Sequence, residues 1–247
     1  VPAAGAHSLY NSSMGNPTVV RGGIDRSGSD GSYTYSTRSN MADKPVNYVS
    51  IWDAFRYCNW LHNGQPAGAI GPSTTEDGAY DLTDSAAIAA NTVVREAGAL
   101  YWLPDDDEWV KAAYYDPSKA GGYWKYPTSS DVAPTIATAG GVGQITNSGS
   151  NVANYNSGAV WNGVTGNLTT VGSAGPGSTS FIGAADMGGN VDELTETIVG
   201  PTLRYIRGGS WLFPVAAGLS IQVRTPSNVD VDERSSLGFR IAKAVAP

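Results

Sequence analysis

Few side chains in this sequence can do chemistry, and their types and spacing narrow the options at once. Cys58 is the only cysteine and His7 and His62 are the only histidines. They are too few for an ordinary three- or four-ligand zinc or iron centre, and one cysteine allows no intrachain disulfide. Neither histidine has the sequence surroundings of a Ser-His-Asp nucleophile. The carboxylates are more numerous. Asp105-Asp106-Asp107-Glu108 could cap and charge a helix start or hold a metal, and capping explains the run without an ion. Asp230, with Asp232 or Glu233, has the residue types of a glycosidase-like acid/base pair. On a polar loop these carboxylates read as solvated charges.

The elements that must position these groups are legible from periodicity. Ser50 followed by Asp53, with Ile51, Ala54, Phe55, Cys58 and Leu61 at helical spacing, predicts a capped helix from Ile51 to about His62. Cys58 then falls on the apolar stripe and reads as a small buried hydrophobe, and His62 as the helix C-terminal cap. Pro104, Asp105 and Glu108 predict a second helix that Asp116-Pro117 ends, and Asp84 to Asn91 a short helical piece. Residues 1–45 read as turns and hairpin scaffold. The Gly-, Ser- and Asn-rich stretch 117–185 reads as ordered loops anchored by Trp124, Tyr126, Tyr155 and Trp161. Leu237, Phe239 and Ile241 alternate with Gly238, Arg240 and Ala242 as in a half-buried strand.

Composition agrees with a loop-rich mixed fold. The 247 residues carry 31 glycines and 14 prolines, only 15% are charged, and 41% are hydrophobic, enough for a core in one domain over 1–247. A net charge of −7 lacks the basic surface that nucleic acid requires and suits divalent cations. No apolar run reaches the length of a membrane span, and no signal peptide is visible.

Four stretches carry a family resemblance: Pro45-Val46 through Tyr57-Cys58-Asn59-Trp60-Leu61, Leu100 to Trp109, Phe181 to Glu196, and Arg207-Gly208-Gly209-Ser210-Trp211 with the closing Gly238-Phe239-Arg240-Ile241. Together they resemble the formylglycine-generating enzyme (sulfatase-modifying factor) domain, a variant of the C-type lectin fold. The same turn and closing strand bracket the variable region of diversity-generating-retroelement proteins, which use the fold to display a binding surface. The resemblance implies an α+β domain with two main helices, a small twisted antiparallel sheet and long ordered loops, and an N-terminal segment that precedes Val1 in family members. Similarity to secreted bacterial proteins with a C-terminal sorting tail implies an extracellular or cell-surface setting. The related sulfoxide synthases hold iron with histidines of a separate helical domain that this sequence lacks.

By the same resemblance, a structural calcium would take side-chain oxygens of Asp186 and Glu193 and carbonyls of Gly189 and Val191. A second would take Asn154 and the carbonyl of Tyr155, with Asn162 or Asn167 as a neutral substitute for the family's aspartate. The pattern departs from the family at Asp192 and Leu194, where tryptophans are usual. The oxidase activity needs two copper-binding cysteines, and their places hold Phe213 and Gly218. Neither is a thiolate, so that mechanism and its copper are excluded. Recognition remains, with Leu212, Phe213 and Val215 as the apolar centre of a 212–236 surface and Asp230, Asp232, Glu233 and Arg234 at its rim. Leu219, Ile221 and Val223 read as an inward-facing strand row. The expected function is a non-catalytic binding module for a protein or glycan. The alternatives are a structural subunit of a homo-oligomeric assembly and an enzyme of non-thiol chemistry.

Overall fold

The first long helix, α1 (Ile51–His62), starts at a full capping box. Ser50 Oγ accepts from the Asp53 amide while the Asp53 carboxylate accepts from the Ser50 amide. These reciprocal bonds satisfy two of the orphan donors at the helix start. The computed structural model describes residues 9–245. His62 does not cap a carbonyl as expected: its Nδ1 accepts from the Leu100 amide, tying α1 to the turn before β3 (Tyr101–Trp102). His7 lies outside the described residues.

Asp105 caps the other main helix, α3 (Asp106–Tyr114), again in a capping box, with Glu108. Between them lies α2 (Ser85–Ala89), capped by Asp84. Near the N-terminus, β1 (Ile24–Ser27) and β2 (Thr34–Thr37) form the expected hairpin. The 117–185 stretch is held by two-residue ladders, β4 (Thr135–Ile136) with β5 (Val152–Ala153) and β6 (Val160–Trp161) with β7 (Val164–Thr165). Tyr126, Tyr155 and Trp161 are buried there and Trp124 is half-buried, so aromatic anchors replace regular structure.

The main sheet has β8 (Asp192–Gly200), β9 (Leu203–Arg207), β10 (Thr225–Asn228) and β11 (Leu237–Phe239) in the order β10-β9-β8-β11. β8–β9 and β9–β10 are antiparallel, but β11 runs parallel to β8 with Leu237 opposite Asp192. The sheet is therefore mixed rather than antiparallel. The closing segment returns from the far end of the 208–236 excursion, so it enters beside β8 in the same direction. It then continues as β12 (Ala242–Lys243), which pairs antiparallel with β3.

The largest core cluster joins Ile51, Phe55 and Cys58 of α1 to Tyr80, Leu103, Leu194, Ile206 and Leu237. Burial pushes the Cys58 thiol up to about 12, so it is a packing group rather than a nucleophile. Arg204 is fully buried in this region, yet its guanidinium donates to Asn91 Oδ1 and to the carbonyls of Val93 and Glu196. A charge is tolerated there because these acceptors replace its hydration.

Arg207, at the end of β9, makes two donor bonds to Asp106 at 2.6 and 2.7 Å, and both residues are buried. Arg207→Ala leaves buried Asp106 with only the more distant Arg224, 3.6 Å away, and is expected to destabilise the fold by about 3–5 kcal/mol. Gly208 has φ +89°, and a Cβ there would lie 2.9 Å from the Met187 carbonyl oxygen. Gly208→Ala is expected to cost about 1–3 kcal/mol through the strained backbone conformation. Urea denaturation followed by tryptophan fluorescence measures both losses, and an unchanged midpoint would contradict this account of the turn.

Candidate functional site

The Arg207–Trp211 turn organises the candidate site. Gly208 and Gly209 both have positive φ, which aims the chain away from the sheet edge. Trp211 is buried, its amide donates to the Asn190 carbonyl, and Arg21 stacks over its ring. Its carbonyl accepts from Ser157 while that of Phe213 accepts from Asn156. The turn is thereby fixed to the 154–158 loop and to the 186–191 segment.

Beyond it, Phe213 and Gly218, the two positions expected from the resemblance to match the oxidase cysteines, come together. A Cβ on Gly218 would run into the ring of Phe213, and Gly218 itself is buried. Phe213 is thus only half-buried, folded back over Gly218 rather than pointing outward as expected. Leu212 and Val215 on either side are 57% and 56% exposed, which makes them the outward apolar groups of this surface. Leu219, Ile221 and Val223 do not form a strand. Leu219 ends a single 3-10 turn (Ala216–Leu219) and is buried, and the carbonyls of Ile221 and Val223 accept from Arg207. The Ile221 amide in turn donates to the Lys125 carbonyl at 3.0 Å, so this backbone is paired outside any ladder.

At the rim, Asp232 accepts from Ser227 Oγ and the Asn228 amide and pairs with Arg234 at 3.2 Å, which holds its carboxyl below the usual range. Asp230 is exposed, and its amide donates to Asn228 Oδ1. Glu233 accepts from Asn11 Nδ2 at 2.7 Å. These acids are turn-forming and pairing groups, not two carboxyls facing across a cleft.

The expected calcium ligands are brought together from two distant stretches. Asn154 bridges to Gly189, and its carbonyl accepts from the Asn190 amide. Asp186 has φ 53° and accepts from the Gly172 amide, and burial raises its carboxyl above the usual range. Glu193 accepts two bonds from Arg240 and one from Trp109 Nε1 at 2.8 Å. Both of its oxygens are engaged, and the guanidinium already neutralises it. As placed, the Asp186–Glu193 set with the Gly189 and Val191 carbonyls does not fit a resident calcium.

The Asn154 position differs. Its Nδ2 faces three acceptors, the Asn167 carbonyl, Thr169 Oγ1 and Asn190 Oδ1, which fixes the amide orientation. Its Oδ1 is then buried without a hydrogen-bond partner, the one such side-chain atom among the described residues. An orphaned carbonyl-type oxygen next to the Tyr155 backbone fits a hard, oxygen-liganded cation. Asn167 faces the same interior, where its Oδ1 caps the Leu168 amide. Asn162 instead occupies the exposed β6–β7 turn.

One acidic cluster was legible from sequence only in part, because Asp105 and Glu108 are joined by Glu196 from a distant strand. Oxygens of Asp105, Glu108 and Glu196 lie within 4.8 Å of one another, close enough to share a metal ion. Arg95 already sits among them, 3.8, 3.1 and 2.9 Å from Asp105, Glu108 and Glu196 respectively. Tyr80 and Trp102 add hydrogen bonds to Glu196 and Glu108. The ring of donors makes this a structural ion-pair network.

A C-type-lectin-like framework with a closed Arg-Gly-Gly-Ser-Trp turn defines the class of protein. Residues 9–245 match the model of the sulfatase-modifying factor enzyme 1-like domain, and the chain belongs to that family. Two solved structures share the fold. One is the crystal structure of CarF, with 21% identity, TM-score 0.55, and coverage of 91% of this chain and 76% of that one. The other is Treponema denticola variable protein 1, with 18% identity, TM-score 0.50, and coverage of 83% and 73%. No curated protein matches the sequence.

The contact between Phe213 and Gly218 can be checked directly. A Phe213→Cys/Gly218→Cys variant is expected to close a disulfide on air oxidation, with both new thiols blocked to a maleimide until reduced. Thiols that remain free after oxidation would show that the two positions do not adjoin.

Proposed function

We propose that this domain is a non-catalytic binding module whose 212–236 surface contacts a protein or glycan ligand outside the cell or at its surface. The observation that carries this reading is the pairing of Phe213 with Gly218 under exposed Leu212 and Val215. Where oxidase chemistry would require two thiolates there is an aromatic ring over a glycine. The neighbouring side chains are apolar groups held outward by a rigid turn. Val231, 73% exposed at the far end of the same excursion, adds a third apolar contact within a polar rim. Similarity to a variable protein supports display on this fold. None of the described helices is long and apolar enough to cross a membrane.

Binding is tested on arrays of glycans and of extracellular protein domains, with surface plasmon resonance on each hit. Leu212→Asp and Val215→Asp are expected to weaken the interaction about tenfold or more each while leaving the thermal midpoint within a degree or two. Hits that ignore both substitutions would move the ligand elsewhere. Light scattering separates the second reading: a mass near 25.6 kDa fits a free module. A stable multimer dissociated by the same substitutions would fit a structural subunit.

The scaffold reading includes a cation at Asn154, held by its Oδ1 and the Tyr155 carbonyl, whose role is to tie the 154–158 loop to the 186–191 segment. Calcium after exhaustive chelation is expected to raise the thermal midpoint of the wild type but not of Asn154→Ala. Equal midpoints with calcium and with chelator would leave Asn154 Oδ1 to a water molecule.

A further inference from the structure

The inner stripe of α1 builds the core, and its outer side builds a cavity. Asp53, Tyr57 and Trp60 follow one another at four- and three-residue spacing, which places them on one side of the helix, away from Ile51, Phe55 and Cys58 of the core cluster. They line a cavity of about 570 Å³ whose opposite wall is Phe239 and Ile241 of the closing segment. That volume is in the range of small-molecule sites. Tyr57 stands between the other two rings, with its centroid 5.9 Å from that of Trp60 at 30° and 5.6 Å from that of Phe239 at 64°. The Trp60 indole is fixed by donating to the Pro66 carbonyl at 3.1 Å, while Tyr57 remains 43% exposed. Ring faces set in this way carry the negative side of the π quadrupole and attract cations.

The charges of the lining leave one carboxylate over. Arg56 makes two bonds to Glu76, at 2.8 and 3.0 Å, and Arg240 makes two to Glu193, so each guanidinium is already matched by an acid. Asp53 forms no ion pair with any of the described residues. Its Oδ2 accepts from the Ser50 amide at 2.9 Å and the Ser50 hydroxyl at 2.8 Å, which leaves Oδ1 as the oxygen for the cavity it lines. Burial pushes this carboxyl up to about 6 in spite of the Ser50 bonds, and the charge of Glu233 adds to the rise. A neutral guest would leave the carboxylate desolvated without a partner, and an anion would be repelled by it. A cation beside Oδ1 removes both penalties.

We propose that this cavity is a binding site for a small organic cation, an ammonium group on an apolar body, with Asp53 as the counter-charge and Tyr57, Trp60 and Phe239 as the ring wall. The apolar body is required because, apart from these charged groups, the lining is aliphatic and aromatic. None of the named lining residues belongs to the 212–236 surface, so the site stands or falls independently of the recognition proposed there.

The experiment titrates the full chain at neutral pH with three probes of one shape and different charge: phenylpropylamine, phenylpropanol and phenylpropionate. Amide NMR shifts give both the affinity and the location. The amine is expected to bind with a Kd of about 1 mM or below, ordinary for a ligand of about ten heavy atoms. It is expected to bind about tenfold more tightly than the alcohol, with the anion weakest, and the shifts should centre on α1 and the closing segment.

Two variants separate the charge from the apolar wall. Asp53→Asn keeps an oxygen that can accept from the Ser50 amide, and it is expected to bring the amine to within about twofold of the alcohol while the alcohol binds as before. Tyr57→Leu keeps apolar area but removes the ring face, and it is expected to weaken the amine about three- to tenfold and the alcohol less. The probe series on the wild type and on Tyr57→Leu decides the question even if loss of the Asp53 cap unfolds α1. An amine that binds no better than the alcohol, a preference for the anion, an amine preference that survives Asp53→Asn, or shifts confined to another part of the chain would each overturn the proposal.

Discussion

The Arg207–Asp106 pair is the interaction on which the rest of this structure depends. Both partners are buried, so the pair is sustained only because two parallel bonds and further acceptors replace the water each has lost. One guanidinium binds the first residue of α3 and, through its other nitrogen, the carbonyls of Ile221 and Val223. It thus joins a helix start, a strand end and the loop that carries the candidate surface. Removing it leaves three segments without a shared reference.

Much of the chain has little regular structure, and its order comes from similar devices. Arg95 gathers Asp105, Glu108 and Glu196, Arg204 gathers Asn91 and two carbonyls, and Arg240 grips Glu193. Each satisfies acceptors that long loops would otherwise bury unpaired. Buried Tyr126, Tyr155 and Trp161 supply the apolar counterpart. A scaffold fixed in this way can hold outward-facing Leu212 and Val215 on a loop without letting that loop collapse. The same reasoning explains the apparent calcium positions. Where an arginine already meets the acids no ion is needed, whereas Asn154 Oδ1 is buried without a donor.

Placing Phe213 over Gly218 also relates the domain to its family. The two side chains adjoin, and neither an aromatic ring nor a glycine can bind copper or exchange with a thiol. The single thiol, on Cys58, is enclosed by the core cluster around α1. Family membership fixes the fold of this chain, and the chemistry has to be argued from its site residues.

The local elements were legible in the sequence because they rest on short-range chemistry. Ser50 with Asp53 and Asp105 with Glu108 announce capped helices, the stripe from Ile51 to Leu61 buries Cys58, and Gly208-Gly209 announces a sharp turn. What tertiary structure alone decided was where each chain segment meets another. β11 lies parallel to β8 because of the route of a thirty-residue excursion, which periodicity does not record. Ile221 and Val223 look like a strand row, yet their carbonyls accept from Arg207 instead of from a neighbouring strand. Glu193 has the side chain of a calcium ligand, but only the fold shows that Arg240, forty-seven residues later, has reached it first. Propensity and capping act over a few residues, whereas the competition among distant partners for a buried charge is settled only when the whole chain is packed.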